Sequence, residues 1–163
     1  MRFRAIAAVL TVSGLAVLGG AAGASAAKPV ATSGSDSGNM MVADCGTFEV
    51  WDEYELFWSG YVHFDREGNP VRIVQHVWGS DRLYNSVTGK SFSGTINSGE
   101  IVDLVEGQAI QSGTIFRIVV PGSGAVFLDV GRYVFDFEDG LVFLKGRHQF
   151  FEGDFEGLCA ALS

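Results

Sequence analysis

Proline is nearly missing from this chain, with three among 163 residues, and only two cysteines and three histidines occur. So little proline leaves long stretches able to donate every backbone N–H, as a sheet ladder requires. The histidines are too few for a zinc-type site, which needs three or four converging ligands. His63 and His76 flank one hairpin, where Tyr61 is expected to face His76, and His148 lies far off in sequence, so no metal is expected. Positive charge is scarce as well: 11 Lys and Arg stand against 19 Asp and Glu, a net charge of −8. A surface this acidic repels phosphate backbones and anionic lipid, which argues against nucleic acid and membranes as partners. There is no G-x-S-x-G elbow, H-E-x-x-H pair, phosphate loop or dinucleotide fingerprint, so neither a catalytic residue nor a cofactor is expected.

The one long uncharged run is at the start. Arg2 and Arg4 precede the small and apolar residues Ala5 to Ala22, and Ala24-Ser25-Ala26 has the small-x-small form of a signal-peptidase site. The apolar centre, Ile6 to Leu18, is short and diluted for a membrane span of roughly 20 residues. Residues 1–26 therefore read as a signal peptide and the chain as secreted. What remains is enough for one domain. In an oxidising compartment, Cys45 and Cys159 are expected to form a disulfide clamping the two ends of that domain. Acidic neighbours on both sides disfavour the alternative of a reactive thiolate.

Residues 27–43 are small and polar, without a periodic apolar face, and read as a flexible leader to a domain at 44–163. From Thr47 to Trp58, Phe48, Val50, Tyr54, Leu56 and Trp58 share one parity, which is the alternation of a half-buried strand. Ser59-Gly60 reads as a bend or bulge within a continuing strand, Gly79-Ser80-Asp81 as a break, Ser98-Gly99 as a turn, and Asp65 to Pro70 and Pro121 to Gly124 as hairpin loops. Two strands of equal length are expected at 108–120 and 125–137. The result is an antiparallel meander of eight or nine strands. Closure into a barrel removes the exposed edges of such a meander, and a barrel is favoured over a sandwich. A short C-terminal helix, capped by Asp154, places Phe155, Leu158, Cys159 and Leu162 on one stripe.

The succession Cys45-Gly46, Phe64 to Val71, Thr88 to Ser91, Val120 to Gly124, Asp129 to Arg132 and Gly153 to Leu162 resembles a group of small secreted actinobacterial proteins. The resemblance covers nearly the whole expected domain. It implies secretion and the all-β fold, and it brings no catalytic residue with it. In architecture alone the chain is also similar to lipocalin-like and allene oxide cyclase-like (dirigent-like) barrels, and a shared fold does not fix a function.

Candidate binding residues come from the strand interiors. Arg117 and Asp129 interrupt two otherwise apolar strands, where a charge is either outside or paired. With Val120 opposite Ala125 they point to opposite faces, and a one-residue register change brings them together. Arg132 is an alternative anchor. Trp51, Trp58, Trp78, Phe116, Phe127 and Tyr133 either line a lipophilic cavity or fill a packed interior. Three functions stay open: a barrel binding a small apolar or amphipathic ligand, an extracellular structural protein that self-associates into a homo-oligomer, and an isomerase or cyclase on the same frame.

Overall fold

The computed structural model describes residues 28–163, so the expected signal peptide lies outside the described residues. Seven strands follow one another: β1 (Val30–Asp44), β2 (Glu49–Phe64), β3 (Pro70–Asn85), β4 (Ser91–Asp103), β5 (Gln108–Val120), β6 (Gly124–Asp136) and β7 (Gly140–His148). Two short helices, α1 (Gln149–Glu152) and α2 (Glu156–Leu162), close the chain. Each strand pairs antiparallel with its sequence neighbour, so the meander is as expected. Its closure is not: β1 and β7 remain the two edges of an open sheet, and seven strands replace eight or nine.

The strand count falls because glycine bends these strands without ending them. Gly60, Gly79 and Gly99 lie inside β2, β3 and β4. A Cβ added to Gly60 would lie 2.1 Å from the Val74 carbonyl oxygen, and one on Gly79 2.1 Å from that of Glu55. The missing side chain lets neighbouring backbones close up, and the sheet coils there. A second device acts further along. Gly113, Gly131 and Gly146 stand directly opposite one another on β5, β6 and β7, with φ of +138°, +152° and +134°. That row curls the sheet into a concave inner face and an outer face.

Residues expected as a leader form β1. Its Ser- and Gly-rich sequence carries no apolar alternation because β2 supplies the apolar cover. The Trp58 ring lies over Gly34 and the Tyr54 phenol over Gly38, where Cβ atoms would approach to 2.3 and 2.6 Å. Aromatic residues shielding glycines of an edge strand stabilise the pairing that glycine alone would weaken.

The core occupies one end of the inner face. Val50, Leu83, Ile118 and Phe127 are fully buried there against Leu158 and Leu162 of α2. Each of these leucines contributes roughly 2 kcal/mol by leaving water. Phe150 and Phe155 complete the packing, their ring centres 5.5 Å from Phe116 and 5.8 Å from Phe127. Because the helices cover this face, the sheet buries a core without closing. The expected disulfide forms between Cys45 and Cys159, whose Cα atoms are 5.7 Å apart. Asp154 does not cap α2: the N-cap is Phe155, and Asp154 instead accepts a hydrogen bond from the Gln149 amide at 2.9 Å.

Candidate functional site

Polar side chains form a line across the concave face. Gly60, Gln75, Glu100, Gln111, Tyr133 and Leu144 are direct cross-strand partners from β2 to β7. Strand alternation puts them all on the inner face, and apolar rows flank them. On one side run Val62, Ile73, Val102, Ala109 and Phe135, and on the other Trp58 and Val77 lead to Ser98. Gln75 donates its amide N–H to Glu100 Oε2, Tyr133 donates its hydroxyl to Gln111 Oε1, and Gln111 donates to Ser98 Oγ at 2.7 Å. Phe151 of α1 packs 5.0 Å from the Tyr133 ring.

Burial sets the electrostatics of this line. It pushes the Glu100 carboxyl above its ordinary range, against the lowering effect of the Gln75 hydrogen bond. The Tyr133 phenol is also pushed up, first by burial and then by the charges of Glu100 and Asp129. Tyr133 therefore stays protonated and Glu100 holds its proton longer than a surface glutamate would. After their mutual bonds, Glu100 and Tyr133 offer acceptor oxygen, and Gln75 keeps its acceptor oxygen beside one free amide N–H. Such a line suits a ligand that brings donors.

Asp129 and His148 form a second, sealed cluster. Both side chains are inaccessible to solvent, and His148 Nδ1 lies 2.7 Å from Asp129 Oδ1. His148 Nε2 lies 3.1 Å from the Lys145 carbonyl oxygen, and Asp129 Oδ2 accepts the Phe150 backbone N–H at 3.0 Å. The ring is thus held at both nitrogens, by a carboxyl on one side and a backbone carbonyl on the other. Burial raises the Asp129 pKa, and the histidine opposes that rise. The cluster fastens the start of α1 to β6. It opens to no solvent, so it is a structural pair, not a reactive one.

A third cluster lies nearer β1. Asp52 and Asp81 are 1% and 2% exposed. Among the described residues, Asp52 Oδ1 and both carboxyl oxygens of Asp81 have no hydrogen-bond partner. Burial pushes Asp52 up to about 6 and, with the neighbouring Asp52 charge adding, Asp81 up to about 7. Among the described residues no three His, Cys, Asp or Glu side chains are grouped to hold a metal ion.

The structure scatters the binding residues expected from sequence. Arg117 is exposed on the outer face opposite Leu128, while Asp129 faces Phe116 inside, so the two do not pair. Val120 faces Gly124 because two register shifts intervene in β5–β6. Arg132 is exposed on the outer face. Trp78 is also outside, stacked on His76 and Phe57 with ring centres 5.2 and 6.2 Å away, whereas Trp58 is inside over Gly34. Phe116 and Phe127 are filled in by the helices. Tyr133 alone joins the polar line. Tyr61 faces Val74 and His76 faces Ser59, two positions from the expected pairing. Gln75, Glu100 and Gln111 went unnoticed, and His148 was weighed only as a metal ligand, because an alternating strand pattern does not separate a polar inner position from a polar outer one.

The outer face carries an apolar row in the same register. Ala31, Tyr61, Val74, Ile101, Ile110, Val134 and Phe143 face one another in turn across all seven strands. Tyr61 and Phe143 are about half exposed. One open groove of about 520 Å³ lies beside His63, Arg72, Asp103 and Glu106, and another of about 620 Å³ beside Ser37, Tyr54, Asp81 and Arg82. Neither reaches the polar line. No protein-family model, no curated protein and no solved structure matches this chain.

Proposed function

We propose that this chain is an extracellular binding protein whose concave face takes a small amphipathic molecule with a donor-rich head, an alcohol or an amine. The observation that carries the reading is the line Gln75, Glu100, Gln111 and Tyr133, set in direct register between apolar rows. A small-ligand site is mostly apolar with a few placed polar groups, and this face has that composition. The acceptor oxygens would receive the head, and Trp58, Val102 and Phe135 would hold the apolar body. The disulfide and the signal-type N-terminal sequence support a role outside the cell.

Calorimetric titration of the disulfide-intact chain with dodecylamine, and in parallel with laurate, tests the reading. Saturable one-to-one binding of the amine, weaker for laurate, is expected. Glu100→Gln should weaken it about tenfold, the scale of one hydrogen bond to a charged group. Absence of saturable binding, or equal binding by the Glu100→Gln chain, overturns it.

A further inference from the structure

The outer face holds an unbalanced pair of charges. Arg132 on β6 stands directly opposite Lys145 on β7. Like charges at facing positions are destabilising. Among the described residues neither cation has a carboxylate at ion-pair distance. This occurs in a chain whose net charge is −8, where anionic side chains are plentiful.

The next outer-face pair along is Val134 with Phe143. Phe143 is 45% exposed, and Val142, an unpaired residue at a register shift of this edge strand, is 50% exposed. Two positions beyond Val134 is Asp136, and the turn after it carries Glu138. One pair of strands thus presents a basic end, an apolar middle and an acidic end, with the apolar pair halfway between Arg132 and Asp136. Such a surface is complementary to itself after a half-turn about the middle. The half-turn brings the basic end of one copy onto the acidic end of the other and joins the two apolar middles.

We propose that the outer face of β6 and β7 is a homodimer surface, two copies packing antiparallel about the Val134–Phe143 pair. The second copy supplies the counter-charge that Arg132 and Lys145 lack and covers the exposed Phe143. An apolar centre with a charged rim is the usual anatomy of such a contact. This surface lies on the opposite side of the sheet from the polar line, so it leaves the concave face open and stands independently of the ligand reading.

Sedimentation velocity over a dilution series tests it. A concentration-dependent monomer–dimer equilibrium is expected, weakening as salt is added. Phe143→Glu should raise the dimer Kd by tenfold or more, roughly the effect of losing a buried anchor. Its circular dichroism must match the parent, and the rim substitutions below stand in if it does not. The double substitution Arg132→Glu with Lys145→Glu, and separately Glu138→Lys, should each weaken self-association. Mixed one to one, these two chains should associate more tightly than either alone, because one rim of the mixed dimer is again opposite in sign and the other is relieved of its repulsion. A monomer at every concentration overturns the proposal. So does a dimer indifferent to Phe143→Glu and to both rim variants.

Discussion

Asp52 and Asp81 lie on the same face of adjacent strands, one pair apart: Asp52 faces Leu83, and Asp81 faces Tyr54. Among the described residues neither has an ion-pair partner, and the charges that act on them, Glu53 on Asp52 and Asp52 on Asp81, are of the same sign. The folded protein therefore holds these protons more tightly than the unfolded chain does. The resulting stabilisation is full below the ordinary carboxylate range. It is lost as pH rises through about 6 for Asp52 and about 7 for Asp81.

From this follows a pH dependence opposite to that of most acidic proteins. Urea midpoints should fall between pH 5 and pH 8, and Asp81→Asn should flatten the slope and raise stability at pH 8 by roughly 3 kcal/mol. A wild-type midpoint that rises over this interval would contradict the assignment.

The Cys45–Cys159 bond closes a separation of 114 residues. Loop entropy assigns such a crosslink up to about 5 kcal/mol. A chain with both cysteines replaced by alanine should lose stability on that scale in guanidinium titrations. Release of α2 accompanies the loss, since Leu158 and Leu162 are the residues the bond holds against β6 and the sheet floor. Proteolysis near Phe155 in the reduced chain is the direct sign.

His148→Ala removes the hydrogen-bond partner of the sealed Asp129 carboxyl. Breaking a buried pair by deleting one partner costs about 3–5 kcal/mol. The double variant His148→Leu with Asp129→Leu should recover part of that loss, because no charge is then left behind. Thermal unfolding of the two variants decides it: equal loss in both would mean that packing, not charge, dominates at this position.

Gly131→Ala meets two obstacles, a φ of +152° and a Cβ position 2.3 Å from the Lys145 carbonyl oxygen. Gly46→Ala meets only an unfavourable φ of +84° with open space around it. The first substitution should cost at least about 2 kcal/mol and the second about 1 kcal/mol. Similar losses at both would show that curvature does not depend on the glycine row.

What was legible in the sequence was local. Parity from Thr47 to Trp58 is reproduced in β2, the loops at Asp65 and Pro121 turn the chain, and the two cysteines meet. What was illegible depends on a neighbouring strand. Gly79 looks like a break in a linear reading, and only the backbone of the facing strand shows it to be a bend. Residues of β1 look unstructured because the rings that cover them, Trp58 and Tyr54, belong to β2. The polar line exists only as a register: Gln75, Glu100, Gln111 and Tyr133 are spread over four strands, and no spacing in the chain announces that they meet.

Every strand in this sheet pairs with the one before it, so each hairpin can form once its own short loop has closed. Among the described residues the tail is tied back by the packing of Leu158 and Leu162, the disulfide, the Asn85 amide on the Leu162 carbonyl oxygen and the Lys90 ammonium on Ser163. Those ties need a finished sheet to dock upon. Pairing of the two thiols is consequently the closing event of folding, a lock set on a sheet that is already in place.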